Sequence, residues 1–181
     1  RLAGAGLMDG SHVAPLLQRT AAWLHGPQLA RVVSLDDPEQ RNRVQVRVLA
    51  CDGGSAQDAP AWARVVCPFA GDRRGALFMP DVDDEVLVVF QGGDPSCPLV
   101  LGGLWNGGAQ APETVRNGDN RYKVIRSKNG VRLLIDDQSG QERLLIETPG
   151  GQRVTLGDGP GQVLVEDANG NSVQMDASGI Q

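Results

Sequence analysis

Between residues 129 and 179 the chain repeats itself. Turn signals recur at Asn129-Gly130, Ser139-Gly140, Gly150-Gly151, Gly159-Pro160-Gly161, Asn169-Gly170 and Ser178-Gly179, with glycine-to-glycine steps of 10, 11, 10, 9 and 9. Short runs lie between them: VRLLID, RLLIE, RVTLGD, QVLVED and SVQMDA. Alternation at period two marks these runs as strands. One face collects Val131, Leu133, Ile135, Leu144, Ile146, Val154, Leu156, Val163, Val165, Val173 and Met175, and the other reads as largely polar. From Leu133 onward the tail carries eight acidic residues against two basic ones, Arg143 and Arg153. A repeat of this kind predicts a solenoid or β-helix. A strand stack with one apolar face and no second layer cannot bury that face alone. The simplest solution is several copies sharing it as a common interior. Rising about 4.8 Å per strand, such an object is long and thin. Saturated backbone pairing makes it stiff. The rival is one buried sheet face of a monomeric domain. The period, the glycine turns and the lack of any covering helix argue against it.

The upstream half reads differently. Residues 71–106, GDRRGALFMPDVDDEVLVVFQGGDPSCPLVLGGLWN, hold two strand-like runs, 85–91 and 98–104, joined by Gly92-Gly93-Asp94-Pro95. Val86, Val88 and Phe90 alternate with Leu87, Val89 and Gln91, so both faces of the first run are mostly apolar and it is expected to be buried on two sides. Before it come a strand at 29–35, an Asp36-Asp37-Pro38-Glu39 turn, an alternating strand RVQVRVLA at 43–50, a polar loop at 51–60 and a strand at 61–67 that opens with Trp62. Residues 77–79 are a candidate short strand ended by Pro80. Five or six short strands in about 80 residues with no intervening helix predict a small barrel, and the five-stranded Greek-key barrel of the OB type is the closest common form. The start, 1–10, is a Gly- and Ala-rich arm. Leu16, Leu17, Ala21 and Leu24 predict a short helix over 11–24, stopped by Gly26-Pro27. The expected organisation is an arm and helix at 1–26, the barrel at 27–108, a neck at 109–126 and the repeats at 127–181. The neck region is basic: Arg116, Arg121, Lys123, Arg126, Lys128 and Arg132 face one acidic residue, Asp119. It reads as a solvated or ion-paired collar ahead of a phospholipid contact.

Composition narrows the chemistry. Aromatic residues make up 4% and the net charge is −5, a poor match to nucleic-acid binding, which needs clustered Lys and Arg with exposed aromatic rings. Cys51, Cys67 and Cys97 form neither a disulfide framework nor a zinc pattern and read as buried thiols. His12 and His25 stand too far apart to share one helix face as metal ligands. Asp81, Asp83, Asp84 and Glu85 have the residue types for a carboxylate pair or a calcium loop, but not a calcium loop's spacing, and read as a solvated turn before a buried strand. No nucleophile sits in a Gly-x-Ser-x-Gly setting. The expectation is therefore no enzyme, no cofactor and no metal.

The stretch WARVVCPFAGDRRGALFMPDVDDEVLVVFQGGDPSCPLVLGGLWNG, 62–107, resembles the OB-fold domain of the spike proteins of contractile injection systems, the VgrG and phage baseplate assembly protein V family. Its motif residues here are Trp62, Pro68, Gly71, Gly75, Pro80, Glu85, Val86, Gly92, Asp94, Pro98, Gly102, Trp105 and Asn106. ARVVSLDDPEQRNRVQVRV, 30–48, is similar to the family's first hairpin, and RSKNGVRLLIDDQSG, 126–140, to its entry into a triple-stranded β-helix. One departure is Asp83, where the family usually has Gly. The resemblance implies an all-β chain: an OB-type barrel followed by three C-terminal tails intertwined as a trimeric needle. It further implies a homotrimer at the tip of a tail tube, with tube, hub and baseplate proteins as partners. A PAAR-like tip protein or effector is implied at the needle end, and the target membrane is met transiently. Such a piece is made in the cytoplasm, assembled into a particle and delivered outside on firing. Hub domains and inserted lysozyme domains occur in the family. About 26 residues precede the barrel here, which implies either a short spike or a hub outside these residues. A hydrolase or effector domain outside the chain, or a monomeric OB binding module, are the alternatives. The family's His-x-His iron motif is absent from the sequence. Ser178-Gly179-Ile180 reads as the start of a further repeat, which points to truncation or disorder at that end.

Overall fold

A computed structural model describes residues 26–49, 59–159 and 161–181. The helix expected over 11–24, both histidines and Cys51 lie outside them. The described chain forms two compact units that divide between Gly108 and Ala109.

The first unit is a closed barrel. Its strands are β1 (Gln28–Ser34), β2 (Arg43–Val48), β3 (Ala61–Val65), β6 (Glu85–Phe90) and β7 (Pro98–Leu104), in the order β1-β2-β3-β7-β6. Every pair is antiparallel except β3 with β7. That order and its single parallel seam are those of an OB fold. Period-two alternation puts Ala30, Val32, Val44, Ala63, Val86, Val88 and Val100 inside, each fully buried. Small β-branched residues suit so narrow an interior. Met79, Val65 and Phe90 pack against this core.

The loop after β1 is held by one carboxylate. Asp37 accepts N–H bonds from Glu39, Arg41 and Arg43 and a two-pronged bond from the Arg43 guanidinium, with Nη2 at 2.7 Å. These bonds, the Arg43 pair first, hold its carboxyl far below the usual range.

Two expectations fail in this unit. Residues 77–79 are not a strand. The extra strands are β4 (Ala70–Gly71) and β5 (Arg74–Gly75), a two-stranded hairpin that the glycine-rich sequence hid. Nor is β6 buried on two sides. Val86 and Val88 are inside, but Leu87 and Val89 face outward and are only half-buried. Apolar residues on a strand's second side call for a covering layer, and the described residues cover this side only in part.

The second unit is one antiparallel meander: β8 (Tyr122–Arg126), β9 (Arg132–Asp136), β10 (Arg143–Glu147), β11 (Arg153–Gly157), β12 (Gln162–Glu166), β13 (Ser172–Asp176) and β14 (Gly179–Ile180), each paired to the next. Strands β8 to β13 are five residues long, so positions two and four share one face and one, three and five share the other. The turns repeat as well. The N–H groups of Gly130, Gly151 and Gly161 close onto the carbonyls of Ser127, Thr148 and Asp158, three residues back, at 3.0, 3.0 and 3.1 Å. These glycines adopt φ of 93°, 90° and 62°, the left-handed region, which is why glycine recurs at this step.

Candidate functional site

Cross-strand register defines the apolar face of the second unit. One row runs Ile125, Leu133, Ile146, Val154, Val165, Val173. The parallel row runs Lys123, Ile135, Leu144, Leu156, Val163, Met175, Ile180. Of the residues expected on this face, all but Val131 stand in these rows. Val131 precedes β9 and donates its N–H to Ser127 Oγ. Sequence reading missed Ile125 and Ile180, although the same alternation carried one strand further in each direction finds both. Lys123 is the one charged member. It bonds Asp137 and the Asn120 carbonyl and marks the polar border of the face.

The face is open in the single chain. Ile146, Leu156 and Val165 are 41%, 43% and 43% exposed, and Ile180 is 75% exposed. Ile146, Val154, Val165 and Val173 line an apolar groove rimmed by Glu147, Arg153 and Glu166. Scattered apolar residues are normal on a protein surface, but an unbroken apolar stripe two rows wide from β9 to β13 is not.

The opposite face corrects the expectation of a largely polar side. Its middle row is Val124, Leu134, Leu145, Thr155, Leu164, Gln174. Leu134 is the most buried apolar side chain of this unit, at 3% exposure, and Leu145 and Leu164 are half-buried. Charges flank that row. Along one edge, Arg132 Nη1 meets Glu147 at 3.0 Å, Arg153 meets Glu147 at 3.5 Å, and Arg153 reaches Glu166 at 3.9 Å. Opposite charges directly across a ladder favour this register over any slip. Arg132 also holds Glu113 of the preceding segment. Along the other edge Asp136, 1% exposed, accepts from Arg121 Nε and Nη2 and from Arg143 Nε. The Arg121 bonds hold the Asp136 carboxyl below its ordinary range against the effect of burial. Glu147 is lowered in the same direction, chiefly by Arg132. Three of the six basic residues of the neck region, Arg121, Lys123 and Arg132, are thus neutralised within the chain. The signal for this ladder was present in the sequence as Arg or Glu at the ends of successive strands.

The barrel motif residues scatter around the fold. Trp62 lies half-buried on the outside of β3, with the Arg43 guanidinium 5.8 Å from its ring. Pro68, Gly71 and Gly75 shape the β4–β5 hairpin, and a side chain's first carbon at Gly75 would press against the Phe69 carbonyl oxygen at 3.0 Å. Pro80 precedes the acidic turn, where Asp84 accepts the Asp81 N–H at 2.7 Å. Glu85 accepts from Asn106 at 3.1 Å. Val86 and Pro98 are buried. Gly92, at φ 64°, and Asp94, which accepts from Ser96, make the β6–β7 turn. Gly102 lies opposite Leu87, and Trp105 is 68% exposed. The acidic cluster is therefore a turn with its own hydrogen bonds. Among the described residues, no group of three or more His, Cys, Asp or Glu is arranged to hold a metal ion. Cys67 is half-buried and Cys97 exposed, so the reading of both as buried thiols fails.

Comparison with known proteins agrees with both halves. Residues 28–105 match the Type VI secretion system/phage-baseplate injector OB domain, and residues 143–181 match the phage baseplate V C-terminal trimerisation domain. Among similar proteins are two Type VI secretion system spike proteins of Pseudomonas aeruginosa. VgrG5 is 33% identical over 60% of this chain and 14% of its own length. VgrG1c is 28% identical over 81% of this chain and 22% of its own. The Type VI secretion system spike protein VgrG3 of Vibrio cholerae is 29% identical over 51% of this chain and 9% of its own length. The chain thus spans less than a quarter of the length of these relatives. With an OB barrel of the injector type and a baseplate V trimerisation sheet in one chain, this protein belongs to the spike family of contractile injection systems.

Proposed function

We propose that the chain acts as a homotrimeric spike of a contractile injection system, with three copies of the apolar face from Ile125 to Ile180 closing on one another as a needle interior. The open two-row stripe is the observation that carries this reading. Its work is mechanical. Sheath contraction drives a tube forward, and a narrow stiff tip concentrates that force on the target envelope. No step calls for a reacting residue, and the Asp37, Asp84, Asp94, Asp136 and Glu147 carboxylates are engaged in turns and ladders. The partners proposed are tube, hub and baseplate proteins above, a PAAR-like tip protein or effector at the far end, and the membrane in passing. The proposed organisation is the barrel at 27–108, a neck that ends where β8 begins at Tyr122 rather than at 126, and the needle from there to 181, with delivery outside the cell on firing.

Light scattering on the purified chain tests the reading. Three times the chain mass of 19.2 kDa is expected at micromolar concentration. A clean monomer overturns it in favour of a monomeric OB binding module. The mechanical assignment is checked separately by incubating the trimer with peptidoglycan. No solubilisation is expected, and activity lost on Asp84→Asn or Glu85→Gln overturns it.

A further inference from the structure

Among the described residues, two apolar patches on the barrel stay uncovered. The first is a flat strip on the outside of β1, β6 and β7. Leu29 and Leu87 are directly opposed, and Leu101 occupies the bulge of β7 beside Leu87. Leu29 and Leu101 are each 45% exposed, and Leu104 continues the strip at 39%. This strip is the second apolar side of β6, the side that the alternation in sequence says is buried. The second patch projects. The β4–β5 hairpin and its flanks present Phe69, Leu77 and Phe78 at 61%, 68% and 65% exposure. The hairpin has a defined shape, with Ala70 paired to Gly75 and the Ala76 N–H bonded to the Phe69 carbonyl. Three exposed large apolar side chains on an ordered hairpin are not explained by the barrel's own packing.

The hairpin and the Leu104 end of the strip lie at one end of the barrel. β3 runs parallel to β7, so the chain leaves β3 for the hairpin at the end where β7 finishes at Leu104. Glu113, bonded to Arg132 of the repeat sheet, follows only nine residues after Leu104. A tether that short gives barrels joined through a shared trimerisation unit an effective mutual concentration on the order of millimolar. A threefold ring also has a geometric demand. Its interfaces are heterologous, so each subunit must carry two different, complementary surfaces. A flat strip and a projecting hairpin are such a pair.

We infer that in the trimer the β4–β5 hairpin of each barrel seats Phe69, Leu77 and Phe78 on the Leu29–Leu87–Leu101 strip of the next copy. The inference rests on the trimeric reading above and adds a second, barrel-level interface to it. The two-sided apolar character of β6 then has its cause, because its outer side is covered by another chain.

The test places the photoreactive residue p-benzoylphenylalanine at position 78 of the full chain and irradiates it. Light scattering on the same sample reports the mass. A trimer should yield dimer- and trimer-sized covalent products, with the adduct mapped by mass spectrometry to peptides carrying Leu29 or residues 85–104. Adding Leu101→Glu should cut that yield by about tenfold or more, because a carboxylate is driven from a dry apolar contact. The trimer mass should not change, since the repeat sheet holds it. Leu29→Glu serves the same purpose if circular dichroism shows Leu101→Glu unfolded. A trimer with no interchain adduct, an adduct elsewhere, or a yield untouched by either folded variant overturns the hairpin-on-strip contact and leaves the trimer standing. A monomer overturns both.

Discussion

Asp83 holds φ at 74°, a conformation that glycine adopts freely and an aspartate tolerates at a cost. The resemblance to injection-system spikes places Gly at this position, and the backbone gives the reason. The Asp83 N–H still bonds the Val32 carbonyl at 2.9 Å, so the turn is kept and only its strain differs. Asp83→Gly should leave the barrel's melting temperature unchanged or slightly raised, the relieved strain roughly offsetting the added freedom of the unfolded chain. Asp83→Val should cost about 1–2 kcal/mol, because a β-branched residue resists this region. Denaturant melts of both variants check the pair. A harmless Asp83→Val would show that the turn relaxes out of the left-handed region. At Leu134 the effect is packing. Leu134→Ala should cost about 2–3 kcal/mol in the repeat unit, read in the same melts.

The charge ladder and the Asp136 cluster belong to the β-sheet as an element. Asp136 and Glu147 have native pKa values below those of the unfolded chain. Their contribution is therefore complete above the unfolded carboxylate value near about 4 and is lost as pH falls from there through the depressed native values. The repeat unit's melting temperature should be flat from about pH 7 to 5 and should drop below about pH 4. Asp136→Asn should flatten that drop. Its cost at neutral pH should be about 2 kcal/mol, less than for a fully buried pair because Arg143 is half exposed. An unaltered acid limb in the variant would show that other carboxylates control it. Leu145→Asp belongs to this scale too. Sequence alternation alone makes Leu145 an outward residue that accepts a charge. The structure places it between Leu134 and Thr155 in a half-buried row. The substitution should cost the sheet about 1–2 kcal/mol and leave the oligomeric state intact.

For the whole molecule, sequence was most informative where a period repeats. The alternation of β2 set Val44 and Val46 on one face, which is the barrel interior, and the glycine step near ten gave the strand repeat, because both patterns follow directly from backbone geometry. Sequence was least informative where the deciding contact lies across strands. The β4–β5 hairpin, two residues a strand, is too short to show a period. The Leu134 row was hidden because, two residues to either side on its own face, each leucine has polar or charged residues, as Leu134 has Arg132 and Asp136, and gains meaning only in register. Arg121 and Asp136 are 15 residues apart, and nothing local joins them. The claim that rises above these details is that the Ile125–Ile180 face is a shared interior. Ile146→Asp probes it most directly. Ile146 is 41% exposed in the single chain, so a carboxylate there should scarcely disturb an isolated sheet. In a closed trimer it would bury three like charges around one axis, which is strongly disfavoured. The measurement is the solution mass of Ile146→Asp by light scattering beside the parent and Leu145→Asp. The account predicts a trimer for the parent and for Leu145→Asp, and folded monomer for Ile146→Asp. A trimer for Ile146→Asp with undiminished thermal stability would contradict it.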